Sequence, residues 1–133
     1  MAVPTTMPGM QTRSIRVADG VELAADAWLP AAPTGVPFLL VHGLASNART
    51  WDGVAARLVT YGHPVVSVDL RGHGRSSKPD GPYDVATVAD DLAALIDALG
   101  LPGVDALGPA VASIVLVAAL FAAAALAFRR QEL

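Results

Sequence analysis

Few side chains in this 133-residue chain could carry out catalysis, because it contains three histidines and no cysteine. His73, Ser76 and Ser77 lie close together, but neighbours on one short turn seldom form the nucleophile, base and acid of serine-dependent hydrolysis. His42, His63 and His73 lack the spacing of metal ligands. These residues therefore predict no metal site, no cofactor and no catalytic centre of their own.

Composition excludes several further classes of function. The net charge is −3, so no excess of basic residues indicates a nucleic-acid partner. The absence of cysteine excludes disulfides, thiolate zinc sites and a cysteine nucleophile. Hydrophobic residues make up 53% of the chain, which is high for a soluble domain, and the excess lies near the C-terminus. The length leaves room for one domain.

The first predicted element that could position a site is a β-hairpin. Strands over 12–17 and 21–29 flank Asp19-Gly20, a pair typical of type I′ turns, in which both central residues need a positive φ. Apolar residues alternate along 21–29, which predicts one buried face. Residues 1–11 hold no targeting segment and are predicted to be a disordered leader.

The next part of the pattern predicts a parallel β-α-β-α unit. Residues 36–42 and 64–69 contain short apolar runs, typical of strands buried on both faces. Residues 50–61 and 85–99 repeat apolar side chains at helical spacing. The two strands should be parallel, with a right-handed crossover. Three aspartates lie off the apolar stripe of the second helix: Asp90, Asp91 and Asp97.

The order and spacing of these motifs resemble the N-terminal half of α/β-hydrolases, most closely the esterases, haloperoxidase-like enzymes and dehalogenases. The residues that carry the resemblance are Val41-His42-Gly43-Leu44, Trp51, the run Asp69-Leu70-Arg71-Gly72-His73-Gly74-Arg75-Ser76, Tyr83 and Leu99-Gly100-Leu101. The resemblance covers residues 12 to about 105. It implies an α/β fold with a truncated hydrolase sheet, in which the 64–69 strand lies between the 21–29 and 36–42 strands.

The resemblance assigns an oxyanion loop to His42, Gly43 and Leu44. In the family, the turn after the third strand points a backbone N–H at the substrate oxyanion, and the matching position here is Leu44. Gly43 lets the backbone approach closely because it has no Cβ. Such a donor is worth roughly 2.7–4 kcal/mol in the transition state. His42 is interpreted as a residue that holds the loop by hydrogen bonds, not as a base.

The resemblance assigns an architectural role to a turn motif after the 64–69 strand. The motif consists of Asp69, Arg71, Gly72, Gly74 and Ser76. The glycines permit a sharp exit from the strand, and Asp69 and Arg71 are expected to hold the turn through charge-assisted hydrogen bonds. Phosphate binding at Gly72 and Gly74 is disfavoured, because no helix N-terminus follows directly.

The catalytic residues of the family have no counterpart in this sequence. The family's next strand ends in Gly-x-Ser-x-Gly, which exposes the nucleophile, but no such motif follows Leu101. Ser113 has neither glycine, and no histidine follows His73. We therefore predict no catalytic residue, no activity for the polypeptide alone, and no small-molecule substrate without the missing half. The free edge of the 36–42 strand is expected to lack a partner.

The C-terminal region is predicted to be a membrane helix. Residues 106–128 contain no charged side chain, and Arg129 and Arg130 follow them. As a helix the run would be about 35 Å long, enough for a ~30 Å hydrocarbon core. It resembles the last membrane helix of a bacterial transporter permease, as if fused to the hydrolase half. A membrane location is predicted, or a cytoplasmic one if the helix packs on the domain.

These observations divide the chain into a leader (1–11), a partial α/β-hydrolase domain (12–105), one long apolar helix (106–130) and a tail (131–133). Three functions fit this division. The first is an inactive hydrolase-family fragment, and the second is a membrane-anchored, non-catalytic binding module. The third is a hydrolase of esters or similar substrates that another chain completes. The sequence indicates no oligomeric state.

Overall fold

The computed structural model describes residues 9–101 and 103–108. Its strands are β1 (Met10–Ala18), β2 (Val21–Trp28), β3 (Phe38–Val41), β4 (Val65–Val68) and β5 (Asp105–Leu107). Its helices are a 3₁₀ helix (Ala48–Trp51), α1 (Asp52–Thr60) and α2 (Val85–Leu99). The strands form one sheet in the order β1-β2-β4-β3-β5.

The hairpin prediction is confirmed, but its turn type is not. Strands β1 and β2 pair antiparallel, with an irregularity between Arg16 and Ala18. Gly20 has φ 68° whereas Asp19 has no positive φ, so the turn is not type I′. Only glycine adopts a positive φ without a steric penalty from Cβ. The irregularity between Arg16 and Ala18 provides the additional strand twist that a type I′ turn would otherwise provide. Because β1 begins at Met10, residues 10 and 11 belong to the sheet and not to a leader.

The prediction of one buried face on β2 is wrong. All its residues except Glu22 and Ala27 are buried, and Ala27 is half-buried. Strand β2 lies between β1 and β4, and both faces of the sheet are covered at this position. Leu29, predicted to lie on the buried face, follows the end of the strand and is exposed.

The parallel unit is confirmed, with β4 between β2 and β3 as predicted. Strands β3 and β4 run parallel, with Phe38 opposite Val65 and Val41 opposite Val68. The expectation that β3 has an unpaired edge is wrong, because β5 pairs with it in parallel and Phe38 lies opposite Asp105. The sequence Asp105-Ala106-Leu107 is long enough for a short strand that pairs with this edge.

Apolar side chains pack on both faces of the sheet. On one face, Leu92 and Leu95 of α2 pack against residues of β1, β2, β3 and β4. On the other, Ala55 of α1 packs with Trp28, Leu40 and Val65. The two helices therefore lie on opposite faces of the sheet. Helix α2 ends at Gly100, which has φ 66° and serves as a left-handed C-cap.

Helix α2 departs from its predicted pattern at one position. Asp91 lies off the apolar stripe in sequence, yet it is buried, whereas Asp90 and Asp97 are exposed. The reason is a buried cation: Arg71 forms an ion pair with Asp91, and a paired charge can be buried where a lone one cannot.

The predicted apolar helix over 106–130 falls almost entirely outside the described residues. Its first two residues, Ala106 and Leu107, are part of strand β5 and not of a helix. Within residues 9–101 and 103–108, no helix combines the length and apolarity needed to cross a membrane. The transporter-like tail therefore remains a prediction from sequence.

Candidate functional site

The residues singled out in the sequence meet where β3 and β4 end. His42, Gly43 and Leu44 follow β3, and Asp69 follows β4 directly. These neighbouring parallel strands lead to α1 and α2, which lie on opposite faces of the sheet. Ligands of open α/β sheets bind at the carboxyl ends of strands, at such a divergence of connections. The fold thus places both motifs at the expected position of a site.

His42 is buried and both of its ring nitrogens are hydrogen-bonded. The Leu70 N–H donates to Nε2 at 3.0 Å, so Nε2 carries no proton. Nδ1 then donates to the Gly43 carbonyl at 2.7 Å. The imidazole is fixed as the neutral Nδ1–H tautomer. These contacts join the start of the β3 loop (residues 42–47) to the end of β4.

The far end of the β3 loop is held by β4 as well. The Ala48 N–H donates to Asp69 Oδ1 at 2.7 Å, and the Ala48 carbonyl accepts from Ser67 Oγ at 2.9 Å. Between the two anchors, Leu44 is 94% exposed and Ala45 has φ 57°. Alanine in this left-handed region carries a strain of roughly 1–2 kcal/mol, which the anchors at both ends maintain.

The backbone N–H of Leu44 forms no hydrogen bond to another described residue. The side chain of Leu44 is exposed, so the peptide is not covered from that side. An exposed N–H on a loop that is fixed at both ends can donate to an incoming oxygen without a large rearrangement.

Asp69 connects the β3 loop to the turn motif. Its Oδ2 accepts from the backbone N–H of Arg75 at 3.1 Å and from Arg75 Nε at 2.9 Å. Burial alone would raise the pKa of Asp69, but the N–H groups of Ala48 and Arg75 and the Arg75 charge outweigh it, so the pKa lies below its usual value. Asp69 is therefore a buried carboxylate that stays ionised.

Arg71 lies on the other side of the turn and pairs with α2. Its Nε and Nη2 donate to the two Asp91 carboxylate oxygens at 2.6 and 2.7 Å, and Nη1 donates to the Pro82 carbonyl at 3.0 Å. The hydrogen bonds to Asp91 raise the pKa of Arg71 despite its burial. This ion pair fixes the turn relative to the helix that follows it.

The glycines and Ser76 of the turn motif fill positions without space for larger groups. A Cβ on Gly72 would approach the Tyr83 ring to 2.5 Å, and one on Gly74 would approach the Asp69 carboxyl carbon to 2.5 Å. Ser76 Oγ donates to the Asp69 carbonyl and accepts from the Ala24 N–H at 2.9 Å. The motif is thus joined to β2 as well as to β4.

The structure does not bring the three histidines together. The rings of His42 and His73 lie 4.9 Å apart, and His73 Nδ1 is hydrogen-bonded to the Arg71 carbonyl at 3.0 Å. His63 lies beside Phe38 and is hydrogen-bonded to the Val36 carbonyl, at the start of β3. In the part of the chain that the structure describes, no group of histidine, aspartate or glutamate could hold a metal ion. Ser113 lies outside that part.

Three residues of this region were not identified from sequence: Asp26, Arg75 and Asp91. Asp26 lies in β2, is completely buried, and pairs with both terminal nitrogens of Arg75 at 2.9 and 2.8 Å. An aspartate among apolar residues in the middle of a strand is a signal for a buried ion pair, because β-strands otherwise disfavour aspartate. That signal was present in the sequence, but its partner was not identifiable.

Protonation of His42 should destabilise the fold. Burial lowers the pKa of His42, the hydrogen bond to the Gly43 carbonyl offsets part of this, and the smaller effects of His73 and Asp69 lower and raise the pKa, respectively. Because the folded pKa lies below the unfolded value of about 6.5, the unfolded state takes up more protons as pH falls. The contribution of the neutral His42 side chain to the free energy of unfolding should be fully present above pH ~6.5 and decline below it.

The measurement is urea unfolding of the wild type and His42→Asn at pH 7 and pH 5. We expect the free energy of unfolding to fall between these values by more in the wild type than in the variant. His63→Asn, which removes a histidine remote from the loop, is the control and should retain the wild-type pH dependence. Equal pH dependence in the wild type and His42→Asn would contradict the prediction.

Comparison with known proteins gives a consistent family assignment. A protein-family profile described as alpha/beta hydrolase fold matches residues 36–109. The non-heme chloroperoxidase of Streptomyces lividans is 36% identical over 90 residues, which is 68% of this chain and 32% of that protein. A bifunctional esterase/perhydrolase of Acinetobacter calcoaceticus is 34% identical over 86 residues, 64% of this chain and 30% of that protein.

Solved structures show the same similarity. An epoxide hydrolase from Vigna radiata superposes with a TM-score of 0.70 at 25% identity, covering 83% of this chain and 35% of that chain. An esterase from Exiguobacterium antarcticum superposes with a TM-score of 0.66 at 30% identity, covering 74% of this chain and 35% of that chain. The chain thus spans about a third of the length of the relatives it matches.

Proposed function

Because the chain belongs to the α/β-hydrolase fold family, we propose that it carries the oxyanion-loop half of a hydrolase site and that the 133-residue polypeptide hydrolyses no substrate by itself. The proposal of an oxyanion-loop half rests on one observation, the backbone N–H of Leu44. It has no hydrogen-bond partner among the described residues, and it lies at the end of β3 on a loop held at both ends by β4.

The proposal that the polypeptide hydrolyses no substrate by itself rests on the serine hydroxyls and histidines near the β3 loop. Ser76 Oγ and Ser77 Oγ both accept backbone N–H groups of β2, at 2.9 Å each. His42 Nε2 is occupied by the Leu70 N–H and cannot accept a proton from a serine. Gly108 follows β5 and would match the first glycine of the family's nucleophile motif, but the residue two positions later is Ala110 and not serine.

The substrate class follows from the relatives and not from the site. The relatives named above include an esterase and an epoxide hydrolase, as their names state. Esters fit a site whose defining group is an oxyanion donor, because acyl transfer develops an oxyanion in its transition state. We propose esters, or substrates with a similarly polarised carbonyl, for the completed site.

A second candidate function, a hydrolase that another chain completes, is favoured by β5. Ala106 and Leu107 contact the cores of the two opposite faces, yet both are only half-buried. The apolar cores thus continue to an edge strand that is incompletely covered, and further apolar residues packed beyond β5 would extend them.

The absence of activity can be tested with the isolated polypeptide. We expect p-nitrophenyl acetate turnover no faster than that of Leu44→Pro, which removes the proposed donor. We also expect no labelling by a fluorophosphonate, which reacts with activated serines. Stoichiometric labelling of any serine, or turnover abolished in Leu44→Pro, would contradict the proposal that the polypeptide is inactive.

The oxyanion role can be tested in a chimera. Residues 36–107 would replace the matching segment of the Acinetobacter esterase/perhydrolase, which supplies the rest of the site. We expect the chimera to hydrolyse esters and Leu44→Pro within it to lose roughly 10²–10³-fold in kcat. Leu44→Ala, which keeps the N–H, is the control and should retain activity. Equal rates for the two variants would exclude Leu44 as the donor.

A further inference from the structure

The Arg75 guanidinium lies between two buried aspartates from different parts of the chain. Its Nη1 and Nη2 donate to the Asp26 carboxylate in β2, and its Nε donates to Asp69 Oδ2 after β4. Both aspartate side chains are buried, whereas Arg75 is partly exposed. Thr12 adds a further hydrogen bond to Asp26 at 2.7 Å. The arrangement places one positive charge between two negative charges that water does not reach.

The two carboxylate oxygens of Asp69 accept hydrogen bonds from different residues. Oδ2 is held by Arg75, and Oδ1 accepts the Ala48 N–H at 2.7 Å. A carboxylate that is fixed through one oxygen has its other oxygen fixed as well, because the group is planar and rigid. Since Ala48 directly follows the β3 loop, the position of the end of the loop depends on the orientation of the Asp69 carboxylate.

From this geometry we infer that Arg75 is a positioning residue for the β3 loop: it acts through Asp69 on Ala48 and so sets the place of the Leu44 N–H. The inference rests on the proposed function only in the role that it gives to the β3 loop, which is to present the Leu44 N–H as an oxyanion donor. The mechanical link from Asp26 through Arg75 and Asp69 to Ala48 is independent of whether Leu44 acts as an oxyanion donor.

The turn motif provides a matched control. Arg71 is also an arginine of this turn and also forms two hydrogen bonds to one aspartate, but its partner is Asp91 in α2. The hydrogen bonds of the Arg71 side chain in the described part of the chain go to Asp91 and Pro82 and not to Asp69 or Ala48. The double variant Arg71→Met/Asp91→Leu therefore removes a buried ion pair in the same turn without leaving an unpaired buried charge, and it leaves the link to the β3 loop intact.

The test is amide hydrogen exchange by NMR on the full chain, with Val66 of the central strand β4 reporting global opening. In Arg75→Gln we expect Ala48 exchange to rise about tenfold or more relative to Val66, because Asp69 Oδ2 loses the charged Nε donor and is held only by the backbone N–H of residue 75. The pKa of the Asp69 carboxyl should also rise towards its usual value. In Arg71→Met/Asp91→Leu the Ala48 to Val66 ratio and the Asp69 pKa should stay unchanged.

A proportional rise of both amides in Arg75→Gln would overturn the inference, since Arg75 would then contribute only to overall stability. If Arg75→Gln does not fold, Asp26→Asn is the alternative, because it removes only the carboxylate that holds the terminal nitrogens of Arg75. It should produce the same selective increase in exchange at Ala48, about threefold or more. An unchanged ratio of Ala48 to Val66 exchange in this variant would also overturn the inference. Neither result depends on turnover, so an inactive chimera with selective exchange at Ala48 would contradict the proposed function alone.

Discussion

Asp91→Asn is expected to lower the free energy of unfolding by about 3–5 kcal/mol. The substitution leaves the buried Arg71 guanidinium with two neutral acceptors, the amide oxygen at position 91 and the Pro82 carbonyl, in place of a carboxylate. Removal of one partner from a buried ion pair has this large effect because the remaining charge keeps its desolvation penalty. A folded domain has a free energy of unfolding of about 5–15 kcal/mol in total, so the variant should be close to unfolded at 37 °C.

The measurement is urea unfolding followed by tryptophan fluorescence. Asp90→Asn is the matched control, because it changes the neighbouring, exposed residue of the same helix and should alter stability by less than about 0.5 kcal/mol. The double variant Arg71→Met/Asp91→Leu should recover much of the loss, since it removes both charges. Equal losses for Asp90→Asn and Asp91→Asn would show that the ion pair does not stabilise the fold.

Gly74→Ala is expected to be the next most disruptive change. Its Cβ would lie 2.5 Å from the Asp69 carboxyl carbon, and residue 74 has φ 48°. The left-handed conformation accounts for roughly 1–2 kcal/mol and overpacking for roughly 1–3 kcal/mol, so the total loss should be about 2–5 kcal/mol. The displaced Asp69 carboxylate would also lose its geometry towards Ala48.

Gly20→Ala separates the two contributions. Gly20 has φ 68°, but a Cβ there would meet no atom within 4 Å. This control should lose only the conformational part, roughly 1–2 kcal/mol. Unfolding of both variants in urea gives the difference between them, which measures the contact with Asp69. If Gly74→Ala were no less stable than Gly20→Ala, the proximity of Gly74 to Asp69 would be without consequence.

Sequence patterns were sufficient for the elements whose signals are local. The apolar runs of β3 and β4, the stop at Gly100 and the hairpin at Asp19-Gly20 each depend on a few adjacent residues. The order of strands came from the family resemblance and agrees with the structure. The turn type of the hairpin could not be predicted, because a type I′ turn and a bulged turn both accept this pair.

The elements that could not be predicted depend on distant partners. Strand β5 has three residues, too few for a recognisable period, and exists because β3 offers a free edge. Asp91 follows a helical pattern that places it off the apolar stripe, and only Arg71, 20 residues earlier, explains its burial. Asp26 and Arg75 are 49 residues apart. Long-range ion pairs leave no periodic trace in a single sequence.

The attachment of β2 to the turn motif has a consequence for the order of events during synthesis. The backbone N–H groups of Glu22 and Ala24 donate to the hydroxyl oxygens of Ser77 and Ser76, which lie 55 and 52 residues later, and β2 pairs with β4. A two-stranded hairpin alone is at best marginally stable in water. At about 5–20 residues per second, a ribosome needs roughly 3–10 s to deliver the partners of β2 after its first residues emerge. During that interval the hairpin lacks the partners that cover its apolar side chains in the folded sheet.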